Sequence, residues 1–450
     1  MGRIFGTDGA RGIANQDITP KLAFELGKAS AEVLKKEDKR PIFVVGKDTR
    51  ISGDMLENAI VAGILSVGGN VIKAGVIPTP AVAYLVRYYK ADAGVVISAS
   101  HNSFEYNGIK LFNGEGFKLD DDVEMEIEQL IESNFKGEEV LVGAELGRCL
   151  DAEENAHELY IKYLLSTIDI KLDGLKVVLD CANGASYQVA PKVYEELGAD
   201  VTVIAQDPDG ININDNCGST KPGQLCKKVV EVGADIGLAF DGDADRLIVV
   251  DEKGREVSGD KTICLCAKML KEEGSLRGNL VTATVMSNIG FHKYLQKNGM
   301  AVEVTSVGDR YVIESMLQTG SVIGGEQSGH IIFLNHSTTG DGTLSSLQFV
   351  KALKKDGRKV SQMADEVELF PQVLVNAKVK DEYKHTYKLD KDVSREIESI
   401  EAKMDGNGRV LIRASGTEPL VRVMIEGKDT EEIKKDAESL AKIIEGKFGF

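Results

Sequence analysis

Three aspartates at alternate positions, Asp241-Gly-Asp243-Ala-Asp245, are followed at once by Arg246. Carboxylates this close repel one another unless a cation sits among them. An all-oxygen ligand set suits a hard ion, Mg2+ ahead of Ca2+ or Mn2+. An acidic surface turn is the plain alternative. An EF-hand loop is excluded, because Arg246 occupies the sixth position, where glycine is needed, and residues 247–250 read as a strand. Arg246 puts a guanidinium where it could hold a phosphate beside the metal.

Other loops carry complementary chemistry. Ser98-Ala-Ser100-His101-Asn102 follows an apolar stretch and precedes the turn dipeptide Asn107-Gly108. Ser100 could be a nucleophile or phosphate carrier with His101 beside it, or a turn serine bonded to its own backbone. Lys110 would serve as acid or base if its pKa were depressed, and is otherwise a solvated lysine. Glu326 and Ser328, in Gly324-Gly-Glu-Gln-Ser-Gly, offer a carboxylate and a hydroxyl suited to adjacent sugar hydroxyls. Arg413, Ser415, Gly416, Thr417 and Arg422 read as an anion site or as an ordinary hairpin. His157, His292, His336 and His385 lack metal-ligand spacing. The chain has no GxxxxGK[ST], HExxH, GxSxG or dinucleotide GxGxxG pattern, which disfavours nucleotide-dependent kinases, zinc proteases and serine esterases.

The elements that must position these loops recur three times. Strand, amphipathic helix and strand are expected at 41–48, 53–67 and 70–77, then at 175–180, 188–197 and 200–204, and again at 279–286, 288–297 and 301–305. Each helix ends near a glycine, Gly68, Gly198 or Gly299, as C-terminal capping favours. Each copy then has a further apolar strand opening into one of the polar loops. Ligands bind beyond the carboxyl ends of strands in open α/β sheets, so the loops are expected at equivalent places. The fold class is therefore α/β: three similar domains with mainly parallel mixed sheets, plus a smaller C-terminal α+β domain; if the domains pack around a central cleft, all three loops face it. The expected boundaries are 1–153, 154–254, 255–368 and 369–450, with an acidic junction at 137–156.

Composition agrees with a large α/β enzyme: 450 residues, 42% hydrophobic and 28% charged, with 47 glycines. The net charge of −17 argues against nucleic acid as the main partner. No apolar run approaches the ~18 residues of a membrane span, and the start of the chain has no secretory h-region, so no membrane partner and a cytoplasmic location are expected. The six scattered cysteines, without a CxxC pair, read as buried thiols in a reducing compartment.

Taken together, the four loops resemble those of the α-D-phosphohexomutase superfamily, from Phe5-Gly-Thr-Asp-Gly-Ala-Arg-Gly through to Arg413-Ala-Ser-Gly-Thr. Gln327 and the stretch 305–310 are similar to the branch that acts on amino-sugar phosphates. The resemblance implies a phosphoserine at Ser100 and one Mg2+ per chain, held by Asp241, Asp243, Asp245 and the Ser100 phosphate. It also implies catalytic roles for His101, Lys110 and Arg246, a sugar site at Gly308, Asp309, Glu326 and Ser328, and a phosphate site at Arg413, Ser415, Gly416, Thr417 and Arg422. The implied reaction exchanges glucosamine 6-phosphate and glucosamine 1-phosphate through glucosamine 1,6-bisphosphate, which also acts as activator, and feeds UDP-N-acetylglucosamine synthesis. A phosphomannomutase/phosphoglucomutase is the alternative within the superfamily. The expected partner is a small phosphosugar, and a homodimer is compatible with the sequence. Outside the superfamily stand a metal-dependent phosphatase using Asp241 as nucleophile and a non-catalytic metal- or sugar-phosphate-binding protein.

Overall fold

The computed structural model describes residues 4–6, 8–35, 39–137, 140–152, 154–415 and 418–450. Three sheets fall in one compact unit, residues 1–286 and 300–365; a fourth belongs to a second unit, residues 287–299 and 366–450.

The first sheet has six strands in the order Ala10–Ile13, Tyr106–Asn113, Ala93–Ile97, Ile42–Lys47, Asn70–Val76 and Cys149–Leu150. Its centre is parallel, and Tyr106–Asn113 runs antiparallel to both neighbours. Ala93–Ile97 is buried at every position, which its unbroken Ala-Gly-Val-Val-Ile run requires of a strand covered on both faces. The helices Pro20–Val33 and Gly53–Ser66 pack on this sheet through Leu26, Leu56, Ile60 and Ile64. Part of the expected junction is structural, because Cys149–Leu150 adds the edge strand.

The second sheet runs Glu256–Val257, Leu247–Asp251, Ile236–Phe240, Lys176–Asp180, Asp200–Ile204. The third runs Ala301–Thr305, Leu280–Thr284, Ile323–Gly325, Ile331–Phe333. All three sheets share one device. A buried strand parallel to its inner neighbour is followed by a polar loop and an antiparallel return strand: Ala93–Ile97 with Tyr106–Asn113, Ile236–Phe240 with Leu247–Asp251, and Ile323–Gly325 with Ile331–Phe333. The chemistry-bearing loops are thus the tips of three hairpins at the carboxyl ends of parallel strands.

The repeat boundaries match the sequence pattern closely. The second helix is the exception: a 3-10 turn, Ala185–Gln188, precedes Ala190–Glu196, because Pro191 fits only the first helical turn. The third repeat's helix, Ile289–Lys297, groups with the C-terminal unit. Buried Glu426 accepts from Ile289 N at 3.0 Å, Arg409 Nη2 donates to Ser287 O at 2.6 Å, and Arg409 Nε pairs with Glu426 at 2.7 Å. The rest of that unit is an antiparallel sheet, Gln372–Lys378, Leu420–Glu426 and Arg409–Ala414, covered by the helices Lys391–Met404 and Thr430–Phe448. Asp429 caps the last helix by accepting from Glu431 N and Glu432 N.

Among the described residues no cysteine is in a disulfide; Cys181, Cys217, Cys264 and Cys266 are buried, and Cys149 is exposed. No helix among them is long and apolar enough to cross a membrane.

Candidate active site

The turn after Ala93–Ile97 holds Ser100 at φ 51°, in the left-handed region. For a non-glycine residue this costs about 1–3 kcal/mol and persists only where surroundings enforce it. Here both backbone groups of Ser100 are bonded: its N donates to Ser98 Oγ at 2.9 Å, and its carbonyl accepts from Asn214 Nδ2 at 2.9 Å and Arg50 Nη2 at 3.1 Å. The side chain then points at the aspartate loop, and Ser100 Oγ donates to Asp241 Oδ2 at 2.6 Å. Gly242 permits this approach, since a Cβ there would stand 2.6 Å from Ser100 O.

Asp241, Asp243 and Asp245 are buried, and they can present carboxylate oxygens all within 4.8 Å of one another. Asp241 Oδ1 accepts from Arg246 N at 3.1 Å; Asp243 Oδ2 accepts from Thr79 Oγ1 at 2.7 Å and Lys110 Nζ at 3.1 Å. Asp243 Oδ1, Asp245 Oδ1 and Arg246 Nε are buried without a hydrogen-bond partner among the described residues, and the last two face each other at 3.8 Å. Burial, then the like charges of Asp245 and Asp243, pushes the Asp241 carboxyl well above its ordinary range. Bare oxygens, mutual repulsion and an all-carboxylate donor set fit a hard divalent cation. Such an ion would supply what the protein groups leave short, positive charge at Asp243 Oδ1 and Asp245 Oδ1.

Lys110 comes from the return strand, opposite Val96, and its Nζ also lies 3.4 Å from Asp245 and 3.2 Å from Asp8. The depressed pKa on which a basic role depends is not found. Burial opposes the ammonium, but Asp243, Asp8 and Asp245 outweigh it and raise the group. His101 is the reverse case. Burial, reinforced by Arg246 and Arg11, lowers its imidazole to about 4, and Nδ1 stands 3.4 Å from Ser100 Oγ.

The third hairpin tip brings together the residues expected at a sugar site. Glu326 Oε1 accepts from Gly308 N at 3.1 Å, and Ser328 Oγ lies 3.4 Å from Glu326 Oε2. His330 ties this loop to the aspartate loop: Nδ1 is 3.7 Å from Asp245, Nε2 is 3.8 Å from Asp309, and Nε2 accepts from Gly340 N at 3.2 Å. Lys118 joins Asp309 to Asp8, which also pairs with Arg11. In the C-terminal unit, Arg413 and Arg422 are directly opposed on neighbouring strands and therefore share a face. Arg422 is half exposed, 3.9 Å from Glu418, and Ser415 Oγ accepts from Glu418 N at 3.2 Å. Gly416 and Thr417 lie outside the described residues.

Four family models match in chain order. Those for phosphoglucomutase/phosphomannomutase alpha/beta/alpha domains I, II and III cover residues 2–138, 158–254 and 258–370, and that for the C-terminal domain covers 374–443. A phosphoglucosamine mutase of Clostridium kluyveri is 56% identical over 447 residues, 99% of this chain and 100% of the relative. The chain belongs to the phosphoglucomutase/phosphomannomutase family. Its enzyme class is that of the phosphohexomutases, isomerases that move a phosphoryl group within a sugar phosphate. The fold recurs in a phosphoglucomutase/phosphomannomutase family protein of Burkholderia thailandensis, with a TM-score of 0.79 and 22% identity, over 99% of this chain and 97% of the other. It recurs also in an Aspergillus fumigatus N-acetylphosphoglucosamine mutase in complex with GlcNAc-6P and magnesium, with a TM-score of 0.68 and 17% identity, over 98% and 95% of the two chains.

In this phosphohexomutase, sequence reasoning missed residues that surround the named ones: Asp8, Asp48, Arg50, Thr79, Lys118, Asn214 and the bridging role of His330. The available signal was positional. Asp48 and Arg50 follow the strand Ile42–Lys47, a strand end equivalent to those that carry the recognised loops.

Proposed function

We propose that the chain interconverts glucosamine 6-phosphate and glucosamine 1-phosphate, with Ser100 as the phosphoryl carrier. The observation that carries this reading is the 2.6 Å contact of Ser100 Oγ with Asp241, inside a buried triad that has carboxylate oxygens to spare. The 56% identity to a phosphoglucosamine mutase over nearly the full chain supports the amino sugar as substrate.

In the forward half-reaction a sugar hydroxyl oxygen attacks the phosphorus of phospho-Ser100. The new O–P bond forms as the Oγ–P bond breaks, the hydroxyl proton leaves, and Ser100 Oγ takes up a proton. The product is glucosamine 1,6-bisphosphate, which turns round so that its other phosphate returns to Ser100 by the reverse step. Asp241, Asp243 and Asp245 would hold a magnesium ion, which would supply positive charge at the phosphoryl group. Lys110 stays an ammonium and shares that charge stabilisation, while Arg246 steadies the migrating group. The proton-carrying role falls to His101, by its position 3.4 Å from Ser100 Oγ. Glu326 and Ser328, with Gly308 and Asp309, grip ring hydroxyls. Arg413, Ser415, Gly416, Thr417 and Arg422 anchor the phosphate that is not reacting.

Ser100→Ala tests the reading. It should abolish mutase turnover and, by intact mass and peptide mapping, remove phosphate from the protein; near-normal turnover refutes the carrier. Rates on glucosamine, glucose and mannose 1-phosphates with the bisphosphate as activator decide between the amino-sugar reading and phosphomannomutase/phosphoglucomutase. Net phosphate release, with an acid-labile phosphate on Asp241, would instead favour the phosphatase.

A further inference from the structure

We infer that Arg50 and Asn214 are positioning residues for the phosphoryl-carrying serine: reaching in from two different sheets, they grip the same two carbonyl oxygens, Ser100 O and Asn102 O, and so hold Ser100 in the conformation that aims Oγ at Asp241. The inference rests on Ser100 being the carrier.

Arg50 is held by its own short loop. Asp48 Oδ1 accepts from Arg50 N at 3.0 Å, and Asp48 Oδ2 pairs with Arg50 Nη1. Both side chains are fully buried. The other arm, Nη2, donates to Ser100 O at 3.1 Å and Asn102 O at 2.6 Å. Only a planar fork can face a carboxylate along one arm and two carbonyls along the other; a lysine ammonium is a single point of charge. The carboxylate does double duty. Ser98 Oγ donates to Asp48 Oδ2 at 2.5 Å and accepts from Ser100 N at 2.9 Å, so Asp48 orients the hydroxyl that pins the other end of the same residue.

Asn214 approaches from the other side. Its Nδ2 donates to Ser100 O at 2.9 Å and Asn102 O at 3.0 Å, and its backbone N is bonded to Ala182 O at 2.9 Å. Ala182 follows Lys176–Asp180 in the five-stranded sheet, the sheet whose next strand presents the aspartate triad. Asn214 therefore ties the serine loop to the frame that holds Asp241. Among the described residues the hydrogen-bond partners of Ser100 Oγ are Asp241 and His101, not Arg50 or Asn214. Their effect must pass through the Ser100 backbone, whose φ of 51° is not one a serine adopts unaided.

The experiment compares wild type, Arg50→Lys, Asn214→Ala and Asn214→Asp as full-length proteins, by steady-state kinetics on glucosamine 1-phosphate, thermal melting and 31P NMR of the phosphorylated enzyme. Misplacement of a reacting group by about 1 Å costs about 100-fold in rate. The expected result is a 10- to 100-fold fall in kcat with KM within threefold, and a shifted phosphoserine resonance. Asn214→Asp, which keeps the volume but replaces the donor with an acceptor, should be as slow as Asn214→Ala. If Arg50→Lys does not fold, the Asn214 pair decides alone. Folded Asn214 variants with kcat within twofold of wild type overturn the inference, as does a loss confined to KM. Wild-type protein with no phosphate on Ser100 overturns this inference and the carrier reading together; loss of turnover in Ser100→Ala with normal turnover in Asn214→Ala overturns this inference alone.

Discussion

Lys110→Met keeps most of the lysine's stem volume and removes only the charge, which makes it a sharp probe of the buried cluster. Lys110 Nζ stands 3.1 Å from Asp243, 3.2 Å from Asp8 and 3.4 Å from Asp245, with its side chain 3% exposed. At an effective dielectric of about 20, each such pair attracts by about 5 kcal/mol, and three would reach about 15. That sum overstates the net effect, because the ammonium's own burial opposes it, Asp8 also faces the cations Arg11 and Lys118, and Asp245 also faces Arg246. Removing one partner of a buried pair typically costs about 3–5 kcal/mol, and that is the magnitude to expect here. The compact unit that carries Lys110, residues 1–286 and 300–365, is larger than the roughly 150–250 residues that lose about 2–4 °C per kcal/mol; at about 1–1.5 °C per kcal/mol the midpoint should drop by about 3–8 °C in EDTA. Magnesium should close part of the gap, since the ion brings the same sign of charge to the same carboxylates and no longer meets the ammonium. Calorimetry of both proteins, with EDTA and with excess Mg2+, measures this. A variant that melts within 1 °C of wild type in EDTA, or a gap equally wide with and without Mg2+, would show that Lys110 does not compensate the triad.

Two further outcomes are expected. Arg413→Ala should raise KM for glucosamine 1-phosphate by about 10- to 100-fold, the loss of one charge-assisted phosphate contact worth about 1.5–3 kcal/mol; unchanged KM and kcat would remove Arg413 from the anchor. Asp180 is buried, its oxygens accept from Ala182 N and Gly218 N, and burial outweighs those bonds to push its carboxyl up to about 6. Since the folded state holds that proton more tightly than the unfolded chain does, this group's contribution to stability falls as pH rises from about 4 to about 6. Asp180→Asn should flatten that component in denaturant titrations, and an unaltered pH slope would assign it elsewhere.

Much of this was legible in the chain. Asp241, Asp243 and Asp245 announce themselves by spacing, since alternate carboxylates flanking a tight turn have few uses without a cation. The threefold alternation of strands and helices gives the frame, because burial on both faces writes itself as unbroken apolar runs such as Ala93–Ile97. What stayed hidden depends on long-range pairing. Asp48-Thr-Arg50 reads locally as an ordinary polar turn, yet Arg50 bonds Asn102, 52 positions away, and Asn214 reaches the same oxygen across 112. The helix Ile289–Lys297 has the right periodicity for the third repeat, but buried Glu426 and Arg409, far along the chain, decide which unit it joins. Lys110 misleads for a related reason: its type and position suggest a base, while its charge state is set by Asp8 and Asp243 arriving from elsewhere in the fold.

The places where local preference is violated are not scattered. Ser100 and Ala244 adopt φ values of 51° and 59°, and the aspartates beside them leave Asp243 Oδ1 and Asp245 Oδ1 without a hydrogen-bond partner among the described residues. In the C-terminal unit, Arg413 and Arg422 stand opposite each other across a strand pair, a register that repels like charges. Each arrangement sets like charges close together. The two have opposite signs: carboxylates with unpartnered oxygens in one place, and in the other two facing guanidiniums, of which Arg422 meets Glu418 only at 3.9 Å. A divalent cation relieves the first and a phosphate the second. On the proposed reading, the first serves the phosphoryl group that moves and the second the phosphate that does not react.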